Sequence, residues 1–129
     1  MTGLTGKDLL KGIRKQKALL DAIEEDQRQT ADEIARVMAL PATKRQRELL
    51  KRLADYNKKS IAASSKLLAL KEKGKSVIEQ LTDESEKAVL YLRYIDGKTW
   101  GEITKAIPCG WTTVFRIERR AFRNLDKTE

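Results

Sequence analysis

Residues 96–125 read DGKTWGEITKAIPCGWTTVFRIERRAFRNL, and the breaks inside this stretch set the architecture around it. Asp96-Gly97 is a turn signal, and Thr99-Trp100-Gly101-Glu102 has capping-box form, a hydroxyl followed by a carboxylate three residues later. The helix opened at Thr99 carries Trp100, Ile103 and Ile107 on one face, and Pro108 ends it after about two turns. Past the Pro108-Cys109-Gly110 turn, a last helix aligns Val114, Ile117, Ala121 and Leu125, with Phe122 beside them. Its other face holds Arg116, Arg119, Arg120 and Arg123 against Glu118, and Trp111, Thr112 and Phe115 stand at or near its start. Short helix, tight turn and basic helix make the helix-turn-helix plan, in which the second helix enters the major groove with its N-terminal residues at the base edges.

Working back from this stretch, Ser76-Val77-Ile78-Glu79 and Asp83-Glu84-Ser85-Glu86 also fit capping boxes. They predict a short helix and then a longer one, the latter with Ala88, Val89, Leu92 and Ile95 on its apolar face. Earlier still the aromatic residues all but vanish, Tyr56 being the only one before Tyr91. A seam-like pattern replaces them: Leu9, Ile13, Gln16, Leu20, Ile23, Gln27, Thr30, Ile34 and Val37 alternate spacings of four and three. Leu49, Leu53, Tyr56, Ser60, Ala63, Leu67 and Leu70 repeat that alternation after a break at Pro41, where Thr43-Lys44-Arg45-Gln46 opens a second helix. Thr30-Ala31-Asp32-Glu33 also has the form of a helix start and offers a different break.

So short a connection forces the two long helices antiparallel, and Lys71, Lys73 and Gly74 supply a cationic end and a left-handed cap. The expected fold is therefore all-α: a coiled-coil-like antiparallel hairpin over residues 1–74, serving oligomerisation or interaction, followed by a compact helix-turn-helix domain over 75–129. Leu10, Leu19, Leu50, Ile61 and Leu68 lie beside the seam and call for a further partner. A second copy would complete a four-helix bundle dimer; the chain's own C-terminal domain is the other candidate.

At 129 residues the chain has room for one domain, or a small domain with a helical attachment. Charged residues make up 36% against 40% hydrophobic, with 7 Gly and 2 Pro, which suits a helical chain better than a strand-rich or disordered one. No histidine is present and Cys109 is the single cysteine, which removes the usual zinc ligands and the Ser-His-Asp and Cys-His catalytic sets. Composition thus argues against an enzyme, a metal or a cofactor, and Cys109 reads as a small buried hydrophobe. No apolar run is long enough to cross a membrane and no signal peptide opens the chain, so the bacterial cytoplasm is the expected location. Gly3-Leu4-Thr5-Gly6-Lys7 is too tightly spaced for a phosphate-binding loop and reads as a flexible terminus. A net charge of +8 favours a polyanionic partner. Residues 44–73 alone hold ten basic and three acidic side chains, and Lys51, Arg52, Lys58 and Lys59 there could meet phosphates, an acidic protein or only solvent.

Four segments carry a family resemblance: Leu81-Thr82-Asp83-Glu84, Leu92-Arg93-Tyr94-Ile95-Asp96-Gly97-Lys98-Thr99-Trp100, Thr113-Val114-Phe115-Arg116, and Arg119-Arg120-Ala121 through Leu125. Together they resemble the promoter-reading C-terminal domain of bacterial sigma factors. The whole chain is similar to small phage transcriptional regulators of the ArpU and RinA type. The resemblance implies a sequence-specific regulator of transcription on duplex DNA, with RNA polymerase or another protein as a further partner. It places Trp111, Thr112, Phe115 and Arg116 at the bases, and Lys98, Thr99, Arg119, Arg120 and Arg123 on the phosphates. Pro108, Gly110 and Trp111 depart from the family's usual turn, leaving Trp111 two readings: a contact to a thymine methyl or sugar, or packing under the preceding helix. Two other functions fit the same outline, a DNA-packaging recognition subunit like a phage small terminase and a protein-interaction module built on a helix-turn-helix.

Overall fold

The computed structural model describes residues 5–38 and 43–128, the last by its backbone alone. Its elements are α1 (Gly6–Val37), α2 (Lys44–Glu79), α3 (Glu84–Leu90) continued by a π-helical turn (Tyr91–Ile95), α4 (Trp100–Ala106) and α5 (Trp111–Thr128). The fold is all-α as the periodicities require, with no strand among the described residues. The expected turn at Pro41 lies outside them. The chain divides into two compact units, residues 16–67 and the remainder.

Within residues 16–67, α1 and α2 run antiparallel along the predicted seam. Leu20, Leu49, Ala63 and Leu67 are buried in it, and so are the polar positions Gln16 and Thr30. Burying an amide is tolerable only with a partner, and Gln16 Nε2 donates to the Ala63 carbonyl at 3.1 Å. Gln27 Nε2 donates to Asn57 Oδ1 at 2.7 Å further along. Gln46 closes the far end: its backbone N–H donates to Thr43 Oγ1, its Oε1 accepts from the Thr43 N–H, and its Nε2 donates to the Val37 carbonyl. One side chain thus completes the capping box of α2 and satisfies an orphan carbonyl at the end of α1. Helix α1 passes through Thr30 without a break, because burial in the seam outweighs the local cap signal there.

The second unit joins the first turns of α1, up to residue 15, to everything from residue 68 onward. Gly74 is no cap: α2 runs through it to Glu79. A β-carbon at Gly74 would sit 2.6 Å from Ile13 Cδ1 and 3.2 Å from both Leu10 Cδ2 and Ile95 Cδ1, so glycine here permits close packing and not a left-handed turn. Nor does Ser76 open a new helix; its hydroxyl bonds back to the Glu72 carbonyl one turn earlier. Leu10, expected beside the seam, is fully buried in this unit, whereas Leu19, Leu50, Ile61 and Leu68 stay exposed. Of the stretch read as a flexible terminus, Gly6 and Lys7 belong to α1, and Thr5 Oγ1 accepts from the Asp8 N–H at 3.1 Å at its start; residues 1–4 lie outside the described ones.

Asp83 opens α3 by accepting from the N–H groups of Ser85 and Glu86. The Glu86 side chain does not close that box. It is buried and accepts from Arg120 Nε at 2.6 Å and Asn124 Nδ2 at 2.9 Å, tying α3 to α5. The π-helical turn closes with the Asp96 N–H on the Tyr91 carbonyl at 3.0 Å, and Gly97 then adopts φ +72°, reversing the chain at the predicted Asp96-Gly97 turn. Val89, Ile103 and Val114 form the core under α4, with Leu92, Trp100, Ile107, Ile117 and the half-buried Cys109 packed against them.

Candidate nucleic-acid interface

Helix α4 begins as its capping box dictates. Thr99 Oγ1 accepts from the Glu102 N–H at 3.1 Å, and the Thr99 N–H donates to Glu102 Oε1 at 2.9 Å. That backbone donor, ahead of the hydroxyl, holds the Glu102 carboxyl below the usual range. Lys98 beside Thr99 is exposed. Ile107, constrained by the following proline, is extended and ends the helix.

Helix α5 then turns Val114, Ala121, Phe122 and Leu125 inward, all buried. This fixes the rotation of its outer face. Trp111, Thr112, Phe115, Arg116, Arg119 and Arg123 all lie exposed there. Trp111 is half exposed yet rests its ring edge near Gly101, where a β-carbon would stand 3.9 Å from Trp111 Cζ2. Its ring centroid is 6.0 Å from that of Phe115, which meets Trp100 edge-on at 4.9 Å. Both readings of Trp111 thus share one geometry, packing on one edge with the other in solvent. Arg120 stands apart from the expected phosphate set. Its guanidinium is engaged by Glu86 and, at 3.3 Å, by Asp83, and it belongs to the joint between α3 and α5.

Three cations the sequence assigned to the hairpin arm come to this unit on the first turns of α1. Lys7 lines an open depression with Arg116, Arg119 and Arg123, its Nζ 5.5 Å from the centre of the Phe122 ring. Lys11 and Arg14 follow at helical spacing and border Phe115 and Glu118. The signal that could have found them is Leu10, the off-seam leucine between Lys7 and Arg14, whose burial requires a partner outside the hairpin seam. Lys51, Arg52, Lys58 and Lys59 are exposed within the other unit, Lys59 lying 5.8 Å from the Tyr56 ring centre.

The model of the DUF1492 family, described as a protein of unknown function, matches residues 48–126, more than half of the chain. The chain belongs to the DUF1492 family. The matched region takes in most of α2, all of α3 and α4, and most of α5. No curated protein and no solved structure matches the chain. Among the described residues no helix is long and apolar enough to cross a membrane, and no cluster of metal-ligating side chains occurs.

Proposed function

We propose that this DUF1492 protein is a sequence-specific duplex DNA-binding regulator of transcription that lays α5 in the major groove. The observation that carries the reading is the outer face of α5. Trp111, Thr112, Phe115, Arg116, Arg119 and Arg123 point to solvent from a helix anchored by a buried opposite face, and none of these three arginines makes an ion pair among the described residues. Arginines held on a rigid helix without acidic partners suit base edges and phosphates. Trp111, Thr112, Phe115 and Arg116 are the base-facing set, while Lys98, Thr99, Arg119 and Arg123 hold the backbone. Arg120 acts indirectly, by fixing α5 to α3. The resemblance to sigma-factor C-terminal domains and to phage regulators of the ArpU and RinA type supports the same reading, in a bacterial cytoplasm, without enzymatic activity or cofactor.

The test is fluorescence anisotropy of the full chain on a duplex selected from random sequence. Arg116→Ala costs roughly 1–3 kcal/mol on the selected site and little on random duplex. Arg123→Ala weakens both alike and lowers the slope of log affinity against log salt by about 0.9. If neither substitution changes duplex affinity, α5 is not the reading helix.

A homodimer through the hairpin is the companion proposal. Leu50, Ile61 and Leu68 form an exposed apolar stripe on α2, at spacings of eleven and seven that return to one helix face. Sedimentation of the full chain at tens of micromolar checks it, and Ile61→Lys should shift a dimer to monomer. A monomeric wild-type protein would sink the idea.

A further inference from the structure

An open cleft of about 400 Å³ lies beside the start of α4, bordered by α1, the π-helical turn and α5. Lys11 and Arg14 enter it from α1 and Arg93 from the π-helical turn. Trp100 and Phe115 supply aromatic wall. The Arg93 guanidinium stacks on Trp100, its Cζ 4.3 Å from the ring centre, and one Nη donates to the Lys98 carbonyl at 3.1 Å. Arg14 in turn donates to the Arg93 carbonyl at 3.4 Å, bringing a second guanidinium alongside the first residue's backbone. The carboxylate in the lining is Glu118, and it accepts the Tyr94 hydroxyl at 2.7 Å.

Three cations therefore face one carboxylate, and none of the three forms an ion pair among the described residues. Arg93 Nε is buried with no hydrogen-bond partner among the described residues, a state that buried donors rarely keep without an unseen ligand or water. Burial and then the charge of Arg14 depress the Arg93 pKa. By contrast, Arg120 in the same unit is supplied with two carboxylates. The excess positive charge in the cleft is thus local and not a property of every arginine here.

We propose that this cleft binds a phosphate group, with Arg14 and Lys11 as its principal ligands and Arg93 as the fixed guanidinium behind them. Guanidinium groups present paired donors that match phosphate oxygens, and Lys adds a mobile point charge. Phe115 lines the cleft and Arg93 in it donates to the Lys98 carbonyl, so a phosphodiester of duplex DNA is the source that fits α5 in the major groove; for that source the proposal rests on the DNA-binding reading. A free phosphorylated small molecule offers the same chemistry. Arg14 and Lys11 would then continue onto α1 the phosphate track that Lys98 and Thr99 begin on α4.

The experiment uses the full chain as wild type and as Lys11→Gln/Arg14→Gln, both exposed positions whose replacement should leave thermal unfolding unchanged. In the first arm, the slope of log affinity against log salt is measured on duplex DNA, and the double variant should lose about 0.9, one phosphate contact. In the second arm, inorganic phosphate is titrated at constant ionic strength while the Arg93 Nε–H and Trp100 indole resonances are followed. Saturable shifts in the wild type that vanish in the double variant are expected. Both effects together assign the cleft to the DNA backbone. Phosphate shifts with an unaltered slope assign it to a free phosphorylated ligand. Absence of both overturns the proposal. If the wild type fails to bind duplex at all, the DNA-binding reading falls, and the phosphate titration still decides the cleft.

Discussion

The hairpin of residues 16–67 and the unit that gathers α3, α4 and α5 are built from the same secondary structure under different economies of burial. The hairpin has one thin seam, in which Gln16 and Thr30 take places that apolar residues would fill, Gln16 being answered by the facing helix. In the second unit the core is thick enough to bury Leu90, Ile103, Val114 and Leu125, and the chain spends a buried carboxylate, Glu86, on holding α3 to α5. Two helices expose most of their surface, so their polar seam residues add specificity at little desolvation cost. A multi-helix core makes each polar group expensive, and the Glu86 carboxylate it buries is multiply bonded.

Arg120→Ala is the substitution expected to break this contrast most sharply. It leaves the Glu86 carboxylate with Asn124 as its main remaining partner; the Arg120 side chain is itself nearly half exposed, so water can reach the gap and the cost is about 1–3 kcal/mol. Urea unfolding of the full chain measures it. A loss below about 1 kcal/mol would class the pair with ordinary surface salt bridges. Because the joint orients α5, duplex affinity should fall as well, without the change in salt slope that a lost phosphate contact produces.

A smaller effect of opposite sign sharpens the hairpin side. Gln16→Leu should raise stability by about 1 kcal/mol, since a polar seam residue trades stability for register. The Ala63 carbonyl that loses the Gln16 bond lies inside α2 and keeps its intrahelical partner. Thermal unfolding checks the sign; a destabilised variant would mean that the Gln16 bond contributes more than apolar packing at that position.

The sequence by itself determined the helix inventory and nearly every terminus after residue 80. Capping and turn chemistry are local: Asp83, Thr99, Gly97 and Pro108 each act through groups within a few residues, and the distant contact that draws Glu86 to Arg120 leaves the Asp83 half of its capping box in place. The seam of α1 and α2 was legible because a heptad repeat needs only the facing helix. It also determined the outer face of α5, since inward positions at helical spacing leave the others outside. Tertiary structure alone decided the rest. Gly74 and Ser76 carry the local marks of a boundary, but the space Ile13, Leu10 and Ile95 demand makes Gly74 a packing position and carries α2 on to Glu79. Arg120 could not be told from Arg119 or Arg123 by its neighbours in sequence, because what removes it from the outer set is Glu86, thirty-four residues away. Lys11, Arg14 and Arg93 share a cleft for the same reason, 79 residues separating Arg14 from the carbonyl it meets. Periodicity says which side of a helix is buried, and only the packed chain says against what.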